Sequence, residues 1–166
     1  MKPTDFILAT LEAIPNHKIL GRKRLQKLSM LLQHAGADLD AEFSLHHYGP
    51  FSSELAEAAD DLFVDGLINE QRRSVGTYGM RQSEYSLSEP DEFEEKLQQP
   101  FDDLLLKLNE FTTIELEMAS TIAFFERENG NRKKAVAEAS SIKPTKAIPP
   151  VLEKAEAILE TISEYH

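Results

Sequence analysis

The chain of 166 residues is 41% apolar and 28% charged and carries a formal net charge of −11, as expected for a soluble globular protein of about one domain. It contains no cysteine, which excludes disulfides and thiolate chemistry, and its N-terminal stretch is too polar for a signal peptide. No stretch approaches the roughly 18 apolar residues of a membrane span, so we expect a cytoplasmic protein without a membrane partner.

Apolar residues at helical spacing predict three helices in the first 66 residues. A short apolar link follows the first helix, and an extended connection at residues 37–49 precedes the third. Glycine or proline stands where each helix should end. The three predicted helices run from Ile7 to Ile14, from Leu25 to Ala35 and from Leu55 to Phe63.

Two strands follow the third predicted helix. Leu67-Ile68 begins the first, Gly76 and Gly79 supply a turn, and residues 84–87 alternate like a return strand. The order of helix, link, helix, helix, strand, turn and strand is that of a winged helix-turn-helix. The sequence therefore predicts a mainly α (α+β) fold, with a winged-helix domain and small β-wing at residues 1–88.

Residues 89–166 are predicted to form a C-terminal helical subdomain packed on the winged-helix domain. Thr112 precedes Glu115 by three residues, the spacing of a capping box at a helix start. The cleanest apolar stripe runs from Ile148 to Ile162 and must be buried. We expect it to pack on its own chain, although the same face could form a homodimer.

The segment Tyr48-Gly49-Pro50-Phe51-Ser52 is predicted to be a structural corner between a strand and the third helix. Proline suits the first turn of a helix, where its missing N–H is not needed, and serine can cap the free amides. We expect Gly49 to adopt a backbone conformation that a Cβ would hinder. The aromatic side chains of the corner, Phe51 included, are expected to point into the core.

A resemblance to a known family rests on three segments. They are Gly21 to Leu28, Tyr48 to Ser52, and Gly66-Leu67-Ile68. With them the chain resembles the bacterial YwgA-like proteins and, more distantly, the SocA-like or Panacea antitoxin domain. The resemblance implies a winged-helix fold followed by helices in a prokaryotic or phage-linked protein, often near toxin or defence functions. It supplies no catalytic residues.

Motifs for catalysis, metal binding or cofactor binding do not stand out, so we expect a protein that is not an enzyme and needs no cofactor. The histidines lack metal-ligand spacing, and no nucleophile elbow or phosphate-binding glycine motif occurs. The remaining candidates for nucleic-acid or anion binding are seven basic residues. They are Arg22, Lys23, Arg24 and Lys27 in the second helix, and Arg72, Arg73 and Arg81 in the wing.

The basic residues of the second helix have two interpretations. They can form an anion or phosphate site at the helix start, or they can be solvated charge and pair with the acidic third helix. The third helix carries five acidic residues and no basic one, which disfavours its entry into a DNA groove. We therefore expect an antitoxin-like or adaptor-type regulatory protein that binds another protein. The alternative is a winged-helix DNA-binding transcription regulator.

Overall fold

The computed structural model describes residues 1–90 and 93–166. It is a mixed α and β structure in which helices predominate. The seven helices of the described residues are α1 Pro3–Ala13, α2 Arg22–His34, α3 Ser53–Val64, α4 Phe101–Leu108, α5 Thr113–Asn129, α6 Arg132–Ile142 and α7 Pro149–Ser163. Their five strands are β1 Lys18–Leu20, β2 Ser44–His46, β3 Gly49–Phe51, β4 Ile68–Val75 and β5 Met80–Leu87.

The strands form two antiparallel sheets. One has three strands in the order β1-β5-β4, and the other is a small hairpin of β2 and β3. Strands β4 and β5 are longer than predicted and stay in register over eight residue pairs, from Ile68 opposite Leu87 to Val75 opposite Met80. The short apolar link after α1 forms β1, in which Ile19 lies opposite Tyr85.

Helix α5 lies at the centre of the molecule and packs against α2, α6 and α7. Its residues from Leu116 to Ala123 are all buried, so this stretch is enclosed on every side. A helix buried in this way needs apolar or small residues on all faces. The capping box predicted at its start is present, with Thr112 accepting from the Glu115 amide and Glu115 accepting from the Thr112 amide.

Helix α7 buries the predicted stripe on its own chain. It packs against α5, α2 and α4, and its Ala155, Ile158, Leu159 and Ile162 are at most 1% exposed. The boundary between two domains at residues 88 and 89 stays a prediction, although α2 packs directly on α4 and α5. Among the described residues, the helices are too short or too polar to cross a membrane.

The corner at residues 48–52 differs from the prediction in two respects. Gly49–Phe51 is itself a strand, with Ser44 opposite Phe51 and His46 opposite Gly49. The expectation that its aromatic side chains point inward is wrong. Tyr48 lies at the hairpin tip and is 56% exposed, while Phe51 is half-buried with its ring 4.9 Å from that of His46.

Candidate functional site

The tip of the β2–β3 hairpin lies directly against α5. Gly49 has a φ of +92°, as expected for a residue in a conformation that favours glycine. A Cβ at this position would lie 2.9 Å from Thr121 Oγ1 and 3.5 Å from Lys27 Nζ. Glycine therefore allows the hairpin backbone to approach both the central helix and a lysine of α2.

Side chains of α2 hold the corner in place. Gln26 accepts from the Ser52 amide and donates to the Ser52 carbonyl, both at 2.9 Å. Lys27 Nζ donates to the Pro50 carbonyl at 2.7 Å. Ser52 in turn caps α3, since its Oγ accepts from the Leu55 amide at 3.2 Å. The corner and the basic segment of α2, which the sequence presented as separate features, thus form one site.

A buried carboxylate connects this site to the C-terminal helices. Glu117 on α5 is 0% exposed and accepts from Lys143 at 2.7 Å, from Lys146 at 2.9 Å and from Lys23 at 3.4 Å. Lys143 also donates to the His47 carbonyl at 3.3 Å. One carboxylate therefore joins α5, α2 and the segment after α6 beneath the hairpin tip.

Positive charge exceeds negative charge in this cluster. Glu117 faces Lys23, Lys143 and Lys146, and it also acts electrostatically on Lys27. The pKa of Lys27 is lowered from its ordinary 10.5 to about 7, mainly by burial; Glu117 opposes this decrease, and the neighbouring lysines contribute to it. Burial by itself would raise the pKa of Glu117, but the lysine hydrogen bonds outweigh burial and leave that pKa lowered.

The basic residues of α2 are distributed over several partners. Arg22 Nη2 lies 2.7 Å from Glu70 Oε1 on β4. Arg24 is partly buried and donates to the Asn109 carbonyl at 2.7 Å. Lys27 is only 2% exposed, which removes it from any surface that a duplex could reach. Apart from an electrostatic influence of Asp60 on Arg22, the partners named here come from β4, from β3 and from the C-terminal half of the chain. The expected direct pairing with α3 is therefore not what holds them.

The arginines of β4 and β5 divide between the two faces of the sheet. Arg72 lies opposite Ser83, and Ser74 lies opposite Arg81, so Arg72 and Arg81 share a face, because alternate strand residues point to the same side. Arg73 points to the other face, where its Nε lies 3.0 Å from Glu84. The structure therefore brings Arg72 and Arg81 towards Arg22 and separates them from Arg73.

Two adjoining depressions lie beside the N-terminal end of α2. The first is a cavity of about 460 Å³ with predominantly apolar walls, located between α2, the hairpin, α3 and Tyr85. The second is an open groove of about 620 Å³ along the wing, lined by Arg72 and Arg81. Both are lined by Arg22, Lys23 and Tyr48. The cavity and the groove therefore adjoin each other.

Tyr48 lines both the cavity and the groove. Lys23 Nζ lies 4.4 Å from the centre of its ring and Lys146 Nζ lies 5.7 Å from it. Such cation–π contacts favour this position of the exposed ring. Among the described residues, no group of three or more histidine, aspartate or glutamate side chains is placed to hold a metal ion.

Sequence reasoning missed Glu117, Lys143 and Lys146. Glu117 offered one signal, because it stands between Leu116 and Met118 in a stretch that is otherwise apolar or small on all faces. A charge in a fully buried stretch needs a partner of opposite charge. Its lysines lie 26 and 29 residues away, and no local pattern relates them.

A second structural feature is the outward face of α3. The inward face buries Leu55, Ala58, Ala59 and Leu62. On the other side, Val64 is 80% exposed, Phe63 is 49% exposed, and Leu67 just beyond the helix is 37% exposed. The acidic residues of α3 and its C-terminal end are also exposed, and they are Glu54, Glu57, Asp60, Asp61 and Asp65.

The chain is similar to a protein of Bacillus subtilis (strain 168) that carries the name Uncharacterized protein YwgA. The two are 29% identical over 121 residues, which covers 70% of this chain and 72% of the relative. This distant similarity supports the resemblance to YwgA-like proteins, whereas the link to the SocA-like or Panacea domain stays a prediction. No family model and no solved structure matches the chain.

Proposed function

We propose that the chain is a non-catalytic regulatory protein, of adaptor or antitoxin-like type, that acts by binding another protein. The scaffold of this proposal is a winged helix. The order α1, β1, α2, α3, β4, β5 and the strand order β1-β5-β4 support it, because a winged helix has three helices followed by a two-stranded wing.

The observation that carries the proposal is the outward face of α3. It combines apolar side chains with carboxylates and has no basic residue within the helix. Exposed apolar residues gathered at one place, with a polar rim, are typical of protein-binding surfaces. The carboxylates would repel a phosphate backbone but would attract a basic polypeptide.

The chemistry of this face defines the partner that it would bind. We expect a protein segment with an apolar side chain that covers Phe63 and Val64 and with lysines or arginines that meet Asp60 and Asp61. Such charge complementarity mainly speeds association and selects the partner, while the apolar contact supplies most of the affinity.

Affinity capture from a lysate of the source organism tests the proposal, provided that the captured protein is then purified and its affinity measured. Phe63→Ser combined with Val64→Ser should weaken binding about ten-fold or more, as loss of a central apolar contact does. Higher salt should slow association of the wild-type protein.

The matched control is Leu106→Ser combined with Ile114→Ser. These residues are 40% and 46% exposed, so they carry comparable apolar surface in the C-terminal half. The control should bind as the wild type does. Equal affinity of all three proteins for the partner would contradict the role of α3.

A second candidate function, binding of duplex DNA, is favoured by one observation. The groove brings Arg22, Lys23, Arg72 and Arg81 together, which are four of the seven basic candidates. Basic side chains of a wing can contact the phosphate backbone even when the third helix does not enter the major groove.

A further inference from the structure

The adjoining cavity and groove beside α2 have opposite chemical character. The cavity is walled by side chains such as Leu25, Ala56 and Ala59, and several aromatic rings also line it. These rings are His46, His47, Tyr48, Phe51 and Tyr85. Aromatic faces of this kind stack on flat rings without requiring a particular pattern of hydrogen bonds.

The groove supplies positive charge next to these rings. Arg22 pairs with the carboxylate of Glu70, and Lys23 pairs with the carboxylate of Glu117. Within residues 1–90 and 93–166, Arg72 and Arg81 form no ion pair, so their guanidinium groups are available to an anion. Arginine matches a phosphate group with two parallel hydrogen bonds.

A local excess of cations is unusual in a chain of net charge −11. An acidic surface elsewhere repels anions, whereas a concave basic site raises their local concentration. Gly21 at the start of α2 also lines the groove. Its φ of +110° favours glycine, and a Cβ there would lie too close to Gln82. The backbone at this position therefore carries no side chain.

We propose that this site binds a mononucleotide-type ligand, with its planar base in the aromatic cavity and its phosphates in the basic groove. Tyr48 lies where base and phosphate would meet. The cavity of about 460 Å³ lies in the size range of small-molecule sites. This site is separate from the outward face of α3 and does not depend on protein binding there.

Calorimetry with the chain of 166 residues tests the site, with ATP, GTP, UTP and AMP as probes beside adenosine and tripolyphosphate. We expect at least one nucleoside triphosphate to bind. The nucleoside and tripolyphosphate should each bind at least about ten-fold more weakly, because each fills only one half of the site.

Variants separate the site from general attraction between charges. Arg72→Gln combined with Arg81→Gln should weaken nucleotide binding by about ten-fold or more, which is the loss expected for hydrogen bonds to a charged group. Arg73→Gln is the matched control, since it lies on the same strand but on the other face of the sheet. It should leave binding unchanged. Ala56→Phe should fill the cavity and weaken the binding of the nucleotide but not the binding of tripolyphosphate.

Several outcomes would overturn the proposal. One is that no nucleotide binds at concentrations up to roughly 1 mM. A dissociation constant of that size corresponds to a binding free energy of only about 4 kcal/mol. Another is equal binding of tripolyphosphate and nucleotide, which would indicate a simple polyanion surface. A third is a loss of nucleotide affinity in Arg73→Gln that equals the loss in the double variant of Arg72 and Arg81. Tighter binding of a single-stranded oligonucleotide than of any mononucleotide would assign the groove to nucleic acid instead. Unchanged unfolding midpoints of the variants would show that any loss of affinity comes from the site and not from loss of folding.

Discussion

Glu117 is the residue on which the candidate site depends most. It is fully buried and shared by Lys23, Lys143 and Lys146. Removing one partner of a buried ion pair is more costly than removing both, because a lone buried charge remains. Three lysines around one carboxylate also leave a local excess of positive charge.

Lys27 should make the stability of the protein depend on pH. Its pKa is about 7 in the folded protein and near 10.5 when unfolded, so between these values the unfolded chain binds the extra proton. Stability therefore rises with pH across this interval, by at most about 1.4 kcal/mol per pH unit. Below the folded pKa both states are protonated, and the dependence on Lys27 ends.

Lys27→Met should remove this contribution, because methionine keeps an apolar chain of similar length without a titrating group. Urea unfolding at several pH values gives the difference in unfolding free energy between wild type and variant. That difference should grow in favour of the wild type from about pH 7 to pH 9. The exposed Lys154 provides the control, Lys154→Met. Parallel curves for the wild type and Lys27→Met would show that Lys27 keeps an ordinary pKa.

The residues of the corner show what the sequence could predict and what it could not. The conformation of Gly49 and the Ser52 cap were predictable because local backbone chemistry fixes both. The exposure of Tyr48 was not, because it depends on a hairpin only three residue pairs long. Gly49–Phe51 contains glycine and proline, which normally disfavour strands.

At the level of elements, helices were easier to predict than strands. Apolar residues at a spacing of three and four define a helix face from local sequence alone, so the stripe on α7 could be predicted. The capping box of α5 could be predicted from the three-residue spacing of Thr112 and Glu115. The antiparallel pair β4 and β5 is longer than its sequence pattern indicated. Polar residues fill most of Ile68–Val75, and an exposed ribbon needs no apolar alternation to pair.

Helix α7 provides a test at this scale, because its apolar face is buried against α5, α2 and α4 of the same chain. Removal of residues 149–166 should give an insoluble product or one without cooperative unfolding. Burial of a single large aliphatic side chain is worth about 1.5–3 kcal/mol, and the loss of Ile158, Leu159 and Ile162 approaches the whole stability of a small domain.

The control for α7 is a chain that ends at Glu164, which keeps the helix and should fold. Circular dichroism and light scattering measure folding and mass. If the wild type is dimeric and the chain without residues 149–166 folds well as a monomer, the helix serves a homodimer interface instead.

At the scale of the whole molecule, charge is segregated. The outward side of α3 is acidic, while the groove between α2 and the wing is basic. The sequence identified most of the charged residues involved, but not their arrangement. Arg72 and Arg81 share a face only through the pairing register of β4 and β5, and Glu117 lies 94 residues from Lys23. Such relations follow from strand register and helix packing, which no local pattern encodes.

The segregation of charge leads to a test that distinguishes protein binding from duplex binding. If the protein binds duplex DNA, the groove must supply the phosphate contacts, because α3 is acidic. Each neutralised phosphate adds about −0.9 to the slope of log affinity against log salt. Replacing Arg22, Lys23, Arg72 and Arg81 with glutamine should then flatten the slope by roughly three to four units. Lys27 is omitted because it is buried, and Arg24 because it is partly buried and donates to the Asn109 carbonyl.

Our proposal predicts the opposite behaviour. The wild type should bind duplex DNA weakly at physiological salt and without sequence preference, since carboxylates of α3 would lie near any duplex that reached the wing. Gel shifts from low to physiological salt, on random and upstream-promoter duplexes, measure both affinity and selectivity. Arg73→Gln controls for the loss of charge outside the groove. Tight and sequence-selective binding that collapses only in the fourfold variant would reject the protein-binding adaptor in favour of the transcription regulator.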